Sequence, residues 1–122
     1  MTEERDPHGE KPIVLIVEDE PAIRAVVAAL LEEEGYAVRR ARDGQEALAI
    51  LDTDHIDLIL SDVVMPQLDG ASLVRRLRQR GVSVPVVLMS AVYAEVDLPG
   101  VPFVPKPFDA DRLLEVVASA MT

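Results

Sequence analysis

The sequence has no cysteine and no tryptophan. Without thiols it can have no disulfide framework, thiolate metal site or thiol nucleophile. Aromatic residues make up only 3% of a chain that is 49% hydrophobic, so its core has to be built from Val, Leu, Ile and Ala. No apolar run approaches the roughly 20 residues that cross a bilayer, and nothing resembles a signal peptide. The expectation is therefore a cytoplasmic protein without membrane insertion. Positive charge is also scarce: 12 Lys and Arg stand against 22 Asp and Glu, for a net charge of -10. That balance argues against direct nucleic-acid binding, where cations against phosphate supply most of the affinity. It suits an acidic protein that meets cations or basic partner surfaces. The two histidines, His8 and His55, point to no chemistry.

What is present is an arrangement of short apolar runs that end on charge. Ile56-Asp57-Leu58-Ile59-Leu60-Ser61 stops at Asp62, and Pro12-Ile13-Val14-Leu15-Ile16-Val17 gives way to Glu18-Asp19-Glu20. Near-continuous Ile and Leu mark strands buried on both faces. A carboxylate at the end of such a strand falls on the edge where open α/β sheets place ligands.

At 122 residues the chain is one domain. Residues 1–10 read as a loose polar tail, and 11–120 as the domain. Strands are expected at 12–17, 36–41, 56–62, 84–89 and 101–104, the second of them at an edge because Arg39 and Arg40 follow Val38. A helix beginning at Pro21 carries the stripe Ile23, Val26, Val27, Leu30 and Leu31, and stops at Gly35. Asp43 can cap a second helix over 45–51, with Glu46 as its reciprocal partner. A third, over about 71–80, turns Leu73, Val74 and Leu77 inward and Arg75, Arg76, Arg78 and Arg80 outward. Asp109 can cap the last helix, which holds Leu113, Leu114, Val116, Val117 and Ala120. Between the fourth and fifth strands, Val92 to Pro99 leaves room for at most two helical turns. Strand-helix alternation with connections of this length requires a parallel sheet, right-handed crossovers and helices on both faces.

All strand C-termini then share one edge, which gathers Glu18, Asp19, Asp62, Ser90 and Lys106. Crowded carboxylates repel one another unless one keeps a proton or a cation joins them. An all-oxygen set favours Mg²⁺, and Mn²⁺ fits as well. A carboxylate beside a divalent cation, an ammonium and a hydroxyl has the parts needed to accept a phosphoryl group. Taken singly, Asp19 can be a helix cap, Ser90 a turn residue and Lys106 an ordinary surface lysine. Asp62, a charge ending an apolar run, is the hardest to read as merely structural.

These motifs, in this order, resemble a response-regulator receiver domain of bacterial two-component signalling. The likeness rests on Glu18-Asp19, Asp62, Met65-Pro66, Asp69-Gly70, Ser90-Ala91 and Lys106-Pro107-Phe108. It implies a three-layer flavodoxin-like fold with a five-stranded parallel sheet of order 2-1-3-4-5. It implies that Asp62 accepts a phosphoryl group from a partner histidine kinase or phosphotransfer protein in a phosphorelay, without the chain being an enzyme. It further implies that Asp19, Asp62 and the Val64 backbone carbonyl bind Mg²⁺, with Glu18 acting through metal-bound water. Ser90 and Lys106 would engage the phosphoryl group, and Phe103 would be the switch aromatic.

The chain departs from the family pattern in the short stretch from Ser90 to Lys106, which carries Pro99, Gly100, Pro102 and Pro105. The helix usually found there is expected to be short or absent. Val64 and Val92 are apolar where polar side chains often orient an attacking water, so slow loss of the phosphoryl group is expected. With Thr122 soon after the last helix, output is expected through a downstream protein target, with a homodimer through the last-helix region as a further option. A binding module of receiver fold that ignores phosphorylation is the main alternative. A Mg²⁺-dependent phosphohydrolase is the other, disfavoured because nothing in so short a chain can form a cap over a substrate.

Overall fold

The first apolar run forms β1 (Ile13–Val17) in the computed structural model of the protein, which describes residues 11–65, 68–90 and 100–121. After it come α1 (Pro21–Glu33), β2 (Ala37–Ala41), α2 (Gly44–Thr53), β3 (Leu58–Asp62) and α3 (Gly70–Gln79). The chain continues through β4 (Val86–Ser90), β5 (Phe103–Pro105) and α4 (Ala110–Ala120). All the strand pairings are parallel, and the sheet order is β2-β1-β3-β4-β5. The parallel sheet is what the alternation of elements calls for, and its flavodoxin-like order is the one that the receiver-domain resemblance implies.

Every residue of β3 and β4 is buried. Side chains alternate across a strand, and here both sides lie under helices. Leu15, Val17, Ile59, Val63, Val86 and Leu88 pack with Leu48 of α2 and Leu73, Val74 and Leu77 of α3. Val14, Ile16, Leu58, Leu60, Val87 and Met89 pack with Val27, Ala28 and Leu31 of α1 and with Leu113 and Val117 of α4. Two apolar layers on one sheet explain why these strands read as unbroken aliphatic runs. Each Leu, Ile or Val removed from water contributes about 1.5–3 kcal/mol. β2, at the edge, leaves Arg39 and Arg40 exposed as expected.

The boundaries shift for identifiable reasons. β3 begins at Leu58 rather than Ile56. The Asp57 carboxylate accepts the Ile13 N–H at 2.7 Å, and its own N–H donates to the Ile13 carbonyl at 2.8 Å. β4 begins after Pro85, and β5 only at Phe103, after Pro102, since proline has no N–H for a ladder. Val26 was expected in the buried stripe of α1 but is 56% exposed. The sheet-facing positions are Val27, Ala28 and Leu31, and Val26 falls on the flank. There, with Ala22, Ile23, Pro107 and Phe108, it lines a surface hollow of about 430 Å³.

Asp43, Asp69 and Asp109 cap α2, α3 and α4, accepting from Glu46 N, Ser72 N and Asp111 N. Glu46 does not return the bond to Asp43. Its Oε1 accepts from Arg42 N at 2.7 Å, one residue further back, while Oε2 meets the Arg42 guanidinium at 3.3 Å. The expected tail, Pro66, Ala91, Val92 and any helix within 92–99 lie outside the described residues.

Two glycines follow capping aspartates because backbone and side chains approach too closely for a Cβ. A methyl group on Gly44 would lie 2.6 Å from Leu68 O. One on Gly70 would lie 2.5 Å from Asp62 O. Both distances are well inside van der Waals contact. Gly70 thus lets α3 start directly against the end of β3.

Candidate functional site

The sheet's C-terminal edge is fixed by backbone bonds that run one step past the strands. Glu18 N donates to Ala41 O at 3.0 Å, Val63 N to Met89 O at 2.9 Å, and Lys106 N to Ser90 O at 2.9 Å. The residues carrying the chemistry therefore stand on backbone whose hydrogen bonds are satisfied.

Glu18 is 1% exposed and Asp62 is 7% exposed, while Asp19, beside Glu18, is exposed. One carboxylate oxygen from each of Glu18, Asp19 and Asp62 lies within 4.8 Å of the others. Lys106, arriving from beyond β5, puts its Nζ 2.7 Å from Glu18 Oε1 and 3.4 Å from Asp62 Oδ2. The second Glu18 oxygen accepts the Glu20 N–H at 3.1 Å. The peptide bond between Lys106 and Pro107 is cis. Ser90 is buried at the end of β4, one residue beyond Met89, the register partner of Asp62.

Burial pushes the Glu18 carboxyl above its usual range, against the opposing hydrogen bonds from Lys106 and Glu20. The Asp62 carboxyl is also raised, again mainly by burial, although the Lys106 charge and the N–H groups of Val63 and Val64 favour its ionised form. For Lys106, burial works against the ammonium, yet the bond to Glu18 and the charge of Asp62 prevail and raise its pKa. Two buried acids beside one cation leave the site short of positive charge.

A divalent cation fits that shortage. The donors are all oxygen, they converge, and one ammonium cannot neutralise three carboxylates. Glu18 is already engaged by Lys106 and by its own loop, so Asp19 and Asp62 are the carboxylates better able to ligate directly.

The structure thus brings together Glu18, Asp19, Asp62 and Lys106, with Ser90 on the adjacent strand end. Val64 carries a side chain that is 46% exposed, and its N–H serves Asp62. Phe103 lies apart from this cluster. It opens β5 in register with Leu88, half-buried against the apolar layer that faces α2 and α3. Sequence reasoning missed Arg24, whose Nη1 donates to the Glu18 carbonyl at 2.7 Å. The available signal was a cation in the first turns of α1, just after three acidic residues.

The family of response regulator receiver domains matches residues 14–118. Among curated proteins, the chain is 37% identical over 107 residues to the transcriptional regulatory protein DltR of Streptococcus agalactiae, covering 83% of this chain and 48% of that protein. The chain spans about half the length of that relative. Among solved structures, the receiver domain of Francisella response regulator 1452 aligns with a TM-score of 0.81 at 32% identity, covering 91% of this chain and 97% of that one. The response regulator TrrA of Thermotoga maritima, solved in complex with Mg(2+)-BeF, aligns with a TM-score of 0.82 at 32% identity, covering 89% and 98%.

Proposed function

This chain belongs to the response regulator receiver domain family, and from that premise we propose that Asp62 is its phosphoacceptor within a Mg²⁺-dependent signalling switch. The observation that carries the reading is the convergence of Glu18, Asp19 and Asp62 with Lys106 bonded across them.

An oxygen of Asp62 attacks the phosphorus of a phosphohistidine on a partner. The phosphorus–nitrogen bond breaks, an acyl phosphate forms, and the departing imidazole keeps its electron pair and takes a proton from water. Asp19, Asp62 and the Val64 carbonyl would hold a divalent cation, with Glu18 contributing through water, and the cation would supply charge neutralisation. Lys106 lies within reach of both Glu18 and Asp62, so it can turn from the first to a phosphoryl oxygen on the second. Ser90 answers from the neighbouring strand. The new charge on Asp62 is thereby passed to β4 and β5, where Phe103 is the candidate reporter.

The donor is a histidine kinase or phosphotransfer protein, and output passes through a downstream protein in the cytoplasm. Self-association through α4 would use the half-buried Val116 beside Pro102. The domain turns over no outside metabolite.

Intact mass after incubation with Mg²⁺ and acetyl phosphate tests the assignment. Wild type should gain one phosphoryl group, and Asp62→Asn, folded by circular dichroism, should gain none. No gain by folded wild type would remove the switch and favour a phosphorylation-independent binding module.

A further inference from the structure

Arg24 stands where helices ordinarily avoid a cation. It is the fourth residue of α1, near the positive end of the helix dipole, in a helix with no acidic residue in its first turn and no side-chain cap. Its guanidinium is turned back to the preceding loop, where Nη1 donates to the Glu18 carbonyl at 2.7 Å. Its own N–H donates to the Glu20 carbonyl at 2.9 Å. One residue therefore grips both ends of the segment Glu18-Asp19-Glu20.

The consequence lies in the peptide between them. The Glu18 carbonyl and the Asp19 N–H belong to one rigid plane, so holding that oxygen sets the direction in which Asp19 leaves the strand. Glu18 N is tied to Ala41 O, and the Glu18 side chain is bonded to Lys106 and to Glu20 N. Arg24 completes the restraint on the one loop residue whose carboxylate is exposed and convergent with Asp62.

We propose that Arg24 is a positioning residue for the divalent-cation site, holding the Glu18–Asp19 peptide so that the Asp19 carboxylate faces Asp62. The inference rests on the reading of this cluster as the Mg²⁺ site of a phosphoacceptor. It makes a distinctive prediction of sign. A nearby guanidinium charge repels a divalent cation, so if charge were its main influence, its removal would tighten binding. If it acts by positioning, removal weakens binding, as loss of groups that orient metal ligands generally does.

The test is Mn²⁺ titration of the full chain by calorimetry, with folding followed by circular dichroism. Arg24→Met keeps the apolar stem but neither donor nor charge, and should bind Mn²⁺ about tenfold more weakly than wild type. Arg24→Lys keeps the charge and one donor on a shorter arm, and should lose about threefold. Equal or tighter binding by folded Arg24→Met overturns the proposal. Should Arg24→Met not fold, Arg24→Lys carries the test, with weaker binding in support and equal or tighter binding against. A folded wild type that neither binds Mn²⁺ nor takes up phosphoryl overturns the functional reading and this inference together. A wild type that does both, beside an indifferent Arg24→Met, overturns this inference alone.

Discussion

Lys106 donates to Glu18 at 2.7 Å across 88 positions of sequence, joining the loop after β5 to the loop after β1. Glu18 is 1% exposed, so this bond serves a buried carboxylate that has little water to turn to. Replacing Lys106 with Met should destabilise the fold by about 2 kcal/mol, below the range for fully buried pairs because the site opens on solvent at Asp19. Adding Glu18→Gln to that variant should restore part of the loss. Urea midpoints of the two single variants and the double variant measure this; strictly additive losses would show that the two side chains are not coupled.

The site should also govern how stability depends on pH. Glu18 and Asp62 have carboxyl groups raised mainly by burial, so the native state holds protons that the unfolded chain releases. Stability therefore falls as pH rises from the ordinary carboxylate range through their raised values. Lys106, whose pKa is raised by Glu18 and Asp62 over the opposing effect of burial, adds stability that is complete below its ordinary value and fades at higher, alkaline pH. With chelator present, melting temperature should decline between mildly acidic and neutral pH. Saturating Mg²⁺ should flatten that decline, because it favours the ionised carboxylates.

Asp62→Asn removes the charge without the shape. In chelator at neutral pH it should raise the melting temperature by about 5 °C, since relief of a buried charge outweighs its partial pairing with Lys106 at 3.4 Å. The same variant should lose most of the stabilisation that wild type gains from Mg²⁺. A melting curve with and without the cation reads both effects.

Gly70→Ala tests the close approach behind Asp62. Its Cβ would lie 2.5 Å from Asp62 O and 3.0 Å from a Leu88 methyl carbon, so either α3 or the end of β3 must move. A loss of about 2 kcal/mol is expected, together with weaker Mg²⁺ binding. By contrast, Asp69→Ala, which removes the cap on Ser72 N, should cost about 1 kcal/mol and leave metal affinity near wild type.

Val64 presents an exposed apolar side chain two residues beyond Asp62, where it offers nothing to orient water. An acyl phosphate at Asp62 should last for minutes or longer, and Val64→Asn should shorten its life. Decay followed by mass spectrometry gives the comparison, and loss within seconds in wild type would refute the argument.

Much of this arrangement is legible in the sequence because strand ends carry its signals. An apolar run buried on both faces can stop on a carboxylate only at the sheet's edge, so Glu18 and Asp62 announce themselves, and the alternation of elements brings Lys106 to the same edge. What stays hidden is sideways geometry. Nothing in the spacing of Val26 separates the flank of α1 from its buried face, and Asp57 looks like a strand residue until its carboxylate is seen bonded to Ile13 N. Arg24 reads as one more helix surface cation, because a bond from a side chain to a backbone carbonyl leaves no pattern in sequence. The unequal sharing of Lys106 between Glu18 and Asp62 likewise depends on distances that no motif encodes.

The two glycines behind capping aspartates have a mechanical consequence. Leu68 is wedged against the start of α2 at Gly44, and the end of β3 against the start of α3 at Gly70, with no slack at either contact. That flank of Asp62, the proposed phosphoacceptor, is an abutment. On the opposite flank the side-chain tie to Asp62 is Lys106, a lysine on a flexible stem whose Nζ lies 3.4 Å from it. Under the role proposed for Asp62, the strain of an added phosphoryl group would meet close packing on the α3 side and find its release toward Lys106 and β5.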